Sequence, residues 1–200
     1  MVEDYGFAEA NVTTLENPTE DELLSAFVQL RGKVTAEDNL IIFYAGHGLW
    51  NEQIEQGYWL PSDSDNDTPS RWVSNSDIRD FIKSIPSRHT LLITDACFGG
   101  GIFKARGIEE ADRAIQVLHS TPSRKAMTSG VLTEVPDRSV FLDYLVDRLK
   151  NNPQSWLTAQ QLFAALQEPV INNSPVTPQY GEIFGANDEG GEFIFFRRQH

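Results

Sequence analysis

A lone cysteine and a glycine-flanked histidine are the residues of this 200-residue chain whose types and spacing point to chemistry. Cys97 follows the apolar run Leu91–Ile93, and His47 follows the apolar run Leu40–Ala45, 50 residues upstream. Each run is typical of a buried strand, and ligands bind beyond the carboxyl ends of parallel strands. The pattern therefore predicts that His47 and Cys97 meet at one edge of an α/β sheet as a catalytic dyad.

Two further residues fit a dyad that performs acyl transfer. A neighbouring imidazolium favours the cysteine thiolate, which is the nucleophile, and then protonates the leaving amine. Gly48 has no side chain, so its backbone N–H can approach an oxygen on which negative charge develops. Asp95 precedes Cys97 by two residues and shares its face of the strand, where a carboxylate would favour Arg or Lys. These residues are compatible with acyl transfer to a cysteine nucleophile beside a carboxylate that favours basic groups.

The motifs resemble those of the caspase-like cysteine peptidases, and most closely those of metacaspases and their bacterial relatives. The caspase signature is Gln-Ala-Cys, then Arg, Gln or Gly, then Gly, with a histidine about 50 residues upstream. This chain keeps Ala96, Cys97 and Gly99, carries the metacaspase variant Asp95 in place of Gln, and has Phe98 in place of Arg. Further matches, which extend the resemblance from about Leu15 onward, are Gly57–Asp63, Ala126–Gly130 and Thr177–Gly181.

The resemblance implies an α/β fold, a caspase-like three-layer sandwich with a mostly parallel central sheet flanked by helices. In that family an apolar strand and a helix precede the region that begins here, and this strand lies beside the one that leads to the histidine. Nothing before Asn11 has the pattern of such a strand. We therefore expect the family's first strand and helix to be lacking, and a missing N-terminal segment or a partner chain to supply them.

The resemblance also implies roles for single residues. The amides of Gly48 and Cys97 would form the oxyanion hole, and Asp95 would lie at the base of the pocket for the residue before the scissile bond. The implied reaction is peptide hydrolysis through a thioester, without an organic cofactor, in regulated proteolysis that in bacteria often serves cell death or defence.

Metacaspases are often activated by calcium, and the chain has an acidic loop with Asp63, Asp65 and Asp67. The loop lacks the glycine and the final glutamate of an EF-hand, since Thr68 and Ser74 occupy those positions. No specific metal motif is therefore predicted. The loop is either a solvated acidic surface or has a substrate-facing or ion-binding role.

Composition limits the partners and the compartment. The net charge of −13 argues against nucleic acid or an anionic membrane as a partner, and an acidic surface would attract basic peptides. A single cysteine cannot form an intrachain disulfide, and no apolar run approaches the roughly 20 residues of a membrane helix. These features predict a cytoplasmic protein whose partners are peptide or protein substrates with basic residues.

A single caspase-like domain over residues 1–200 is expected, because 40% hydrophobic residues suffice for one α/β core. It divides into a large-subunit-like part at 1–100, a linker at 101–125 and a small-subunit-like part at 126–200. The expected elements are a strand at Asn11–Leu15, capped helices from Thr19 and Ser74, strands leading to His47 and Cys97, a polar loop from Asn51 to Ser70, a short helix near Ala111–Leu118, a strand at Ala126–Leu132, helices at Ser139–Lys150 and Thr158–Glu168, and a strand at Glu192–Arg197.

The expected linker contains several basic residues, which the proposed pocket would accept. Exposed loops are preferred sites of proteolytic cleavage, because the backbone must extend into a peptidase cleft. The sequence therefore predicts self-cleavage after one of the residues Lys104, Arg106, Arg113, Arg124 and Lys125.

Structural roles for these residues, and other functions for the chain, stay open. Cys97 could be a small buried hydrophobe, and Asp95 could be a structural carboxylate that caps the next turn. The chain could be a catalytically silent fragment that serves as a binding or regulatory module, or a clostripain-like Arg-specific peptidase, although the downstream matches favour the caspase branch. The other histidines, which have no catalytic setting and are predicted to lie at the surface, are His89, His119 and His200.

Overall fold

The structure is a computed structural model that describes residues 1–65, 67–96, 103–104, 112–130 and 139–198, with the backbone alone given for 103–104 and 112–113. The strands of the described residues are β1 (Asn39–Ala45), β2 (Gly48–Asn51), β3 (Gln56–Trp59), β4 (Val73–Ser74), β5 (His89–Asp95), β6 (Phe103–Lys104), β7 (Ser123–Thr128), β8 (Trp156–Thr158), β9 (Gln179–Ile183) and β10 (Ile194–Phe196). The helices are α1 (Val2–Tyr5), a 3-10 helix (Glu9–Asn11), α2 (Glu20–Lys33), α3 (Asn75–Ser84), α4 (Asp112–Ser120), α5 (Val140–Lys150) and α6 (Ala159–Asn173).

A central sheet carries strands in the order β1-β5-β7-β9-β6. Strands β1, β5 and β7 are parallel, whereas β9 runs antiparallel to β7 and pairs with β6. Two small antiparallel sheets, β2-β3-β4 and β8-β10, lie outside it. The mostly parallel sheet flanked by helices confirms the predicted fold class.

The alternation of side chains along β5 and β7 divides the core into two layers. Leu91, Ile93 and Met127 pack on one face with residues of α5 and α6. Leu92 and Ala126 pack on the other face with residues of α2 and α3. Helices therefore cover both faces, as in other α/β folds with parallel strands.

Local side-chain chemistry starts the helices where the sequence predicts. Thr19, Ser74 and Thr158 each accept a hydrogen bond from the backbone N–H three residues on, and each forms a complete capping box. The boxes satisfy N–H groups that have no partner within the helix. Leu23 and Phe27 are the buried residues of α2, whereas Val28 is 50% exposed.

Several element predictions are wrong in ways that the pairing explains. Asn11–Leu15 is not a strand, since Val12 and Leu15 are exposed and no described strand pairs with this segment. The expected polar loop after Asn51 contains β3, and β9 was not predicted. The last strand predicted at Glu192–Arg197 is present as β10, which pairs with β8.

Helix α6 continues past Glu168, the residue at which the sequence predicts its end. Pro169 lies inside it and cannot donate to the carbonyl of Ala165. The Nε–H of Arg148 on α5 donates to that carbonyl instead, at 3.2 Å. The neighbouring helix therefore satisfies the acceptor that the proline leaves.

Candidate active site

Strands β1 and β5 bring their carboxyl ends to the same edge of the sheet. They pair in parallel from Asn39 opposite His89 to Ala45 opposite Asp95. The Gly46 N–H extends this pairing by donating to the Asp95 carbonyl at 3.4 Å. The chain segments that continue towards the two predicted catalytic residues therefore start side by side.

His47 is exposed at this edge, and its backbone carbonyl is held by two donors. The Tyr44 hydroxyl donates to it at 2.7 Å, and the Leu60 N–H donates to it at 3.0 Å. The side chain is thus accessible while the peptide that follows it is anchored.

Tyr44 reaches this carbonyl because its ring packs against Trp59, whose side chain is 1% exposed. The ring centroids are 4.0 Å apart and the rings are inclined by 23°. A Cβ atom at Gly46 would lie 2.8 Å from the Tyr44 hydroxyl oxygen, which is closer than real Cβ contacts allow. The glycine before His47 is therefore required by the position of the tyrosine. From the sequence, Tyr44 is predicted only to be a strand residue. The signal for its contact with the His47 carbonyl is that a buried tyrosine hydroxyl needs a hydrogen-bond partner.

Gly48 begins β2, the first strand of a hairpin whose second strand, β3, lies in the expected polar loop. It lies opposite Trp59 in the antiparallel pair with β3. Asp95 ends β5 and is half-buried, and the next residue, Ala96, is buried. Cys97 and Gly99 lie outside the described residues, so the predicted dyad and the face shared by Asp95 and Cys97 stay predictions.

The predicted exposed linker is wrong at Arg124, which lies within β7 and is 7% exposed. Its guanidinium donates to four backbone carbonyls, those of Ile85, Ser87, Arg88 and Ser123, at 2.7 to 3.3 Å. A buried strand residue bonded in this way cannot extend into a peptidase cleft without unfolding of the sheet. Arg124 is therefore not accessible for self-cleavage in the folded chain.

The same correction applies to Lys125, the next residue of β7. Its ammonium forms an ion pair with Asp188 at 3.0 Å, and these side chains are only 12% and 5% exposed. The backbone of Lys104 belongs to β6 rather than to a loop, and that of Arg113 belongs to α4, the short helix predicted near Ala111–Leu118. Arg106 lies outside the described residues.

A second buried polar group lies beside this ion pair. The Tyr180 hydroxyl and the Phe193 N–H both donate to the carboxylate of Glu192, which is 2% exposed. Burial raises the pKa of Glu192 to about 7, against the smaller opposing effects of Tyr180 and Lys125. Burial also raises the pKa of Tyr180 well above its ordinary value, and the Glu192 charge adds to that shift.

The surface location predicted for His89 is wrong. The side chain is fully buried, with Nδ1 2.8 Å from the Ser123 hydroxyl and Nε2 2.9 Å from the His119 carbonyl. Burial lowers the pKa of His89, and it also lowers the pKa of His119. His89 thus connects β5 to β7 and α4 and is remote from the carboxyl end of the sheet. His200 lies outside the described residues.

The acidic loop has a structural role at the start of α2. Asp63 accepts a hydrogen bond from the Glu20 N–H at 2.8 Å and pairs with Arg71 at 2.6 Å. The Glu20 N–H is the main reason that the pKa of Asp63 is lowered. Within the described ranges, no group of three or more His, Cys, Asp or Glu residues is arranged to hold a metal ion.

Among the helices that the structure describes, none is both long and apolar enough to cross a membrane.

Three comparisons with known proteins bear on the family and the fold. The family model of the caspase domain matches residues 1–183, and the chain belongs to this family of cysteine peptidases. Metacaspase-4 from Arabidopsis thaliana is 26% identical over 174 residues, which is 78% of this chain. The crystal structure of a Geobacter sulfurreducens protein superposes with a TM-score of 0.59, covering 92% of this chain and 83% of that one, at 14% identity.

The comparisons differ in what they cover. The structural likeness, at 14% identity, concerns the fold alone. The aligned region spans 38% of the length of the Arabidopsis relative. The comparisons therefore establish the family.

Proposed function

We propose that this chain is a cysteine endopeptidase that hydrolyses peptide bonds after Arg or Lys, with Cys97 as the nucleophile and His47 as the acid and base. The observation that carries the proposal is the parallel register of β1 and β5, which places Ala45 opposite Asp95. The strands that lead to the two residues therefore end as neighbours. Membership of the caspase domain family supports the same reaction class.

The proposed reaction proceeds through a thioester. His47 accepts the thiol proton, and the Cys97 sulfur forms a bond to the scissile carbonyl carbon while the C=O π electrons move to the oxygen. The Gly48 N–H donates to this oxyanion. The oxyanion then collapses, the C–N bond breaks, and the His47 imidazolium protonates the leaving amine. A water molecule, deprotonated by His47, hydrolyses the thioester and regenerates the thiol.

Selectivity for basic residues is proposed to come from Asp95. The side chain is half-buried at the end of β5, two residues before the nucleophile. A carboxylate in a pocket pairs favourably with guanidinium or ammonium groups and repels an acidic side chain. The chain's net charge of −13 would additionally draw basic peptides towards it. No organic cofactor is required, because the thiol and the imidazole supply the chemistry.

Self-processing is proposed only for the segment between β5 and α4. Arg106 is the candidate that remains, because Lys104, Arg113, Arg124 and Lys125 belong to β6, α4 and β7. Mass spectrometry of the incubated chain should find a cut after Arg106, while Cys97→Ala stays intact.

The proposal is tested with fluorogenic peptides that differ only in the residue before the scissile bond. Arg and Lys peptides should be cleaved and Asp peptides should not, and Cys97→Ala should lose almost all activity. Asp95→Asn should lower the efficiency with Arg peptides by roughly 10²-fold, because a paired buried charge is lost, while a small alkylating agent still modifies the thiol. Activity that survives in Cys97→Ala would refute the assignment of the nucleophile.

A further inference from the structure

The peptide unit between His47 and Gly48 is held from its carbonyl side. Its carbonyl oxygen accepts from the Tyr44 hydroxyl at 2.7 Å and from the Leu60 N–H at 3.0 Å. In a trans peptide the carbonyl and the following N–H lie in one plane and point in opposite directions. Anchoring the His47 carbonyl therefore sets the direction of the Gly48 N–H.

The hairpin register directs that N–H outward. The Leu60 N–H donates to the His47 carbonyl, and Gly48 faces Trp59. In an antiparallel pair this arrangement makes Gly48 and Trp59 a non-hydrogen-bonded pair. The Gly48 N–H consequently points away from β3 rather than into the ladder, and it is oriented to donate to a ligand.

The Tyr44 hydroxyl is itself held in place. Its ring is stacked on the buried Trp59, and the missing side chain of Gly46 leaves the space that the hydroxyl oxygen requires. Burial raises the pKa of Tyr44 to about 12, although the nearby Leu60 N–H opposes this shift. The hydroxyl therefore keeps its proton, and stays a donor, at any pH at which a peptidase would work.

We propose that Tyr44 is a positioning residue that, through the His47 carbonyl, orients and polarises the Gly48 N–H which stabilises the oxyanion. The inference rests on the proposed function, because it assigns a use to the Gly48 N–H. A donor on a peptide oxygen also strengthens the N–H of the same peptide as a donor, since hydrogen bonds in a chain polarise one another. Tyr44 is proposed to act only through the His47 carbonyl to which it donates.

The test compares Tyr44→Phe with the wild type and with Tyr58→Phe. Tyr44→Phe keeps the ring that stacks on Trp59 and removes only the hydroxyl. Tyr58→Phe removes a hydroxyl from β3 of the same hairpin, where the ring packs against Trp72. Tyr44→Phe should lower kcat about 10-fold with little change in KM, because the donor acts on charge that develops in the transition state. Tyr58→Phe should match the wild type.

Two reagents separate oxyanion stabilisation from thiol reactivity. The Cys97 sulfur bonds to the carbonyl carbon of a peptide aldehyde while the thiol proton passes to His47, and the C=O π electrons become an oxygen lone pair in the position of the oxyanion. Iodoacetamide forms an S–C bond with loss of iodide and creates no oxyanion. Tyr44→Phe should therefore bind the aldehyde about 10-fold more weakly, while its alkylation rate equals that of the wild type.

Gly46→Ala provides a second route to the same state with the tyrosine retained. Its methyl group would occupy space 2.8 Å from the hydroxyl oxygen and displace it from the His47 carbonyl. It should reproduce the weaker aldehyde binding, with thermal melting confirming that both variants fold.

The outcomes distinguish this inference from the proposed function. A wild type that hydrolyses no peptide contradicts the proposed function, and the aldehyde comparison still decides the role of Tyr44, because hemithioacetal formation needs no turnover. Equal aldehyde affinity in the wild type and Tyr44→Phe overturns the inference. Parallel losses of aldehyde binding and alkylation in Tyr44→Phe also overturn it, because they indicate general damage to the site.

Discussion

The region up to Ala96 and the region from Asp112 onward use charged residues differently. In the first region the ion pairs are exposed to solvent, as in Asp63–Arg71, where the side chains are 25% and 48% exposed. In the second region Arg124, Lys125 and Glu192 are buried among backbone carbonyls, a carboxylate and a tyrosine hydroxyl. Exposed pairs contribute little to stability, whereas a buried charge that loses its partner is strongly destabilising. The second region should therefore be the one in which the loss of a single charged side chain costs the most stability.

The strongest test of this difference removes one arginine from each region. Arg124→Ala should lower the free energy of unfolding by about 4 kcal/mol, because four carbonyls lose a charged donor in a buried setting. Arg71→Ala should leave the unfolding midpoint unchanged within measurement error. Urea titrations at pH 7 provide both values. Equal midpoints for the two variants would contradict the comparison.

Glu192 should make the free energy of unfolding depend on pH. A carboxyl whose folded-state pKa is raised from 4.5 to about 7 contributes stability that is complete below pH 4.5 and is lost as the pH rises through 7. Glu192→Gln, which keeps an acceptor for Tyr180, should remove this dependence. The free energy of unfolding of the variant, relative to that of the wild type, should rise by about 3 kcal/mol between pH 4 and pH 8.

The control for Glu192 is Glu22 in the first region. The Thr19 backbone N–H lowers the pKa of Glu22, so its contribution is present above pH 4.5 and is lost as the pH falls. Glu22→Gln should therefore change the pH profile in the opposite sense. If both substitutions change the pH dependence of stability in the same direction, Glu192 is not the group that titrates.

The loss of a helix N-cap should have the same small effect on stability in both regions. Thr19→Ala and Thr158→Ala each remove the acceptor of a capping box, and each should cost about 1 kcal/mol. Thermal unfolding of the two variants, measured side by side, would show whether local helix chemistry is indeed alike. A much larger loss for one of them would mean that its cap is coupled to the surrounding packing.

Local patterns predicted much of the site-bearing edge. The apolar runs before His47 and Cys97 indicate buried strands, and parallel pairing of β1 and β5 follows from the helix between them. The capping boxes at Thr19 and Ser74 are readable because each depends on residues three positions apart.

The features that were missed depend on distant partners or on unusual local conformations. Arg124 and Lys125 were assigned to a linker because charged residues are rarely buried. Both residues contact Asp188, which lies more than 60 residues downstream and is therefore not visible as a local partner. The β2–β3 hairpin was missed because Glu55, in its turn, adopts a φ of 50° that is typical of glycine or asparagine. The anchoring of His47 by Tyr44 depends on the stacking partner Trp59, which no short motif reveals.

The contact between Arg148 and Ala165 constrains the order in which substitutions can accumulate. While Pro169 is present, replacement of Arg148 leaves the Ala165 carbonyl without the donor that it uses now. Once Pro169 is replaced by a residue with an N–H, α6 can satisfy that carbonyl itself, and the Ala165 carbonyl no longer depends on Arg148. The two positions are therefore epistatic, and the path in which the proline is lost first avoids the destabilised intermediate.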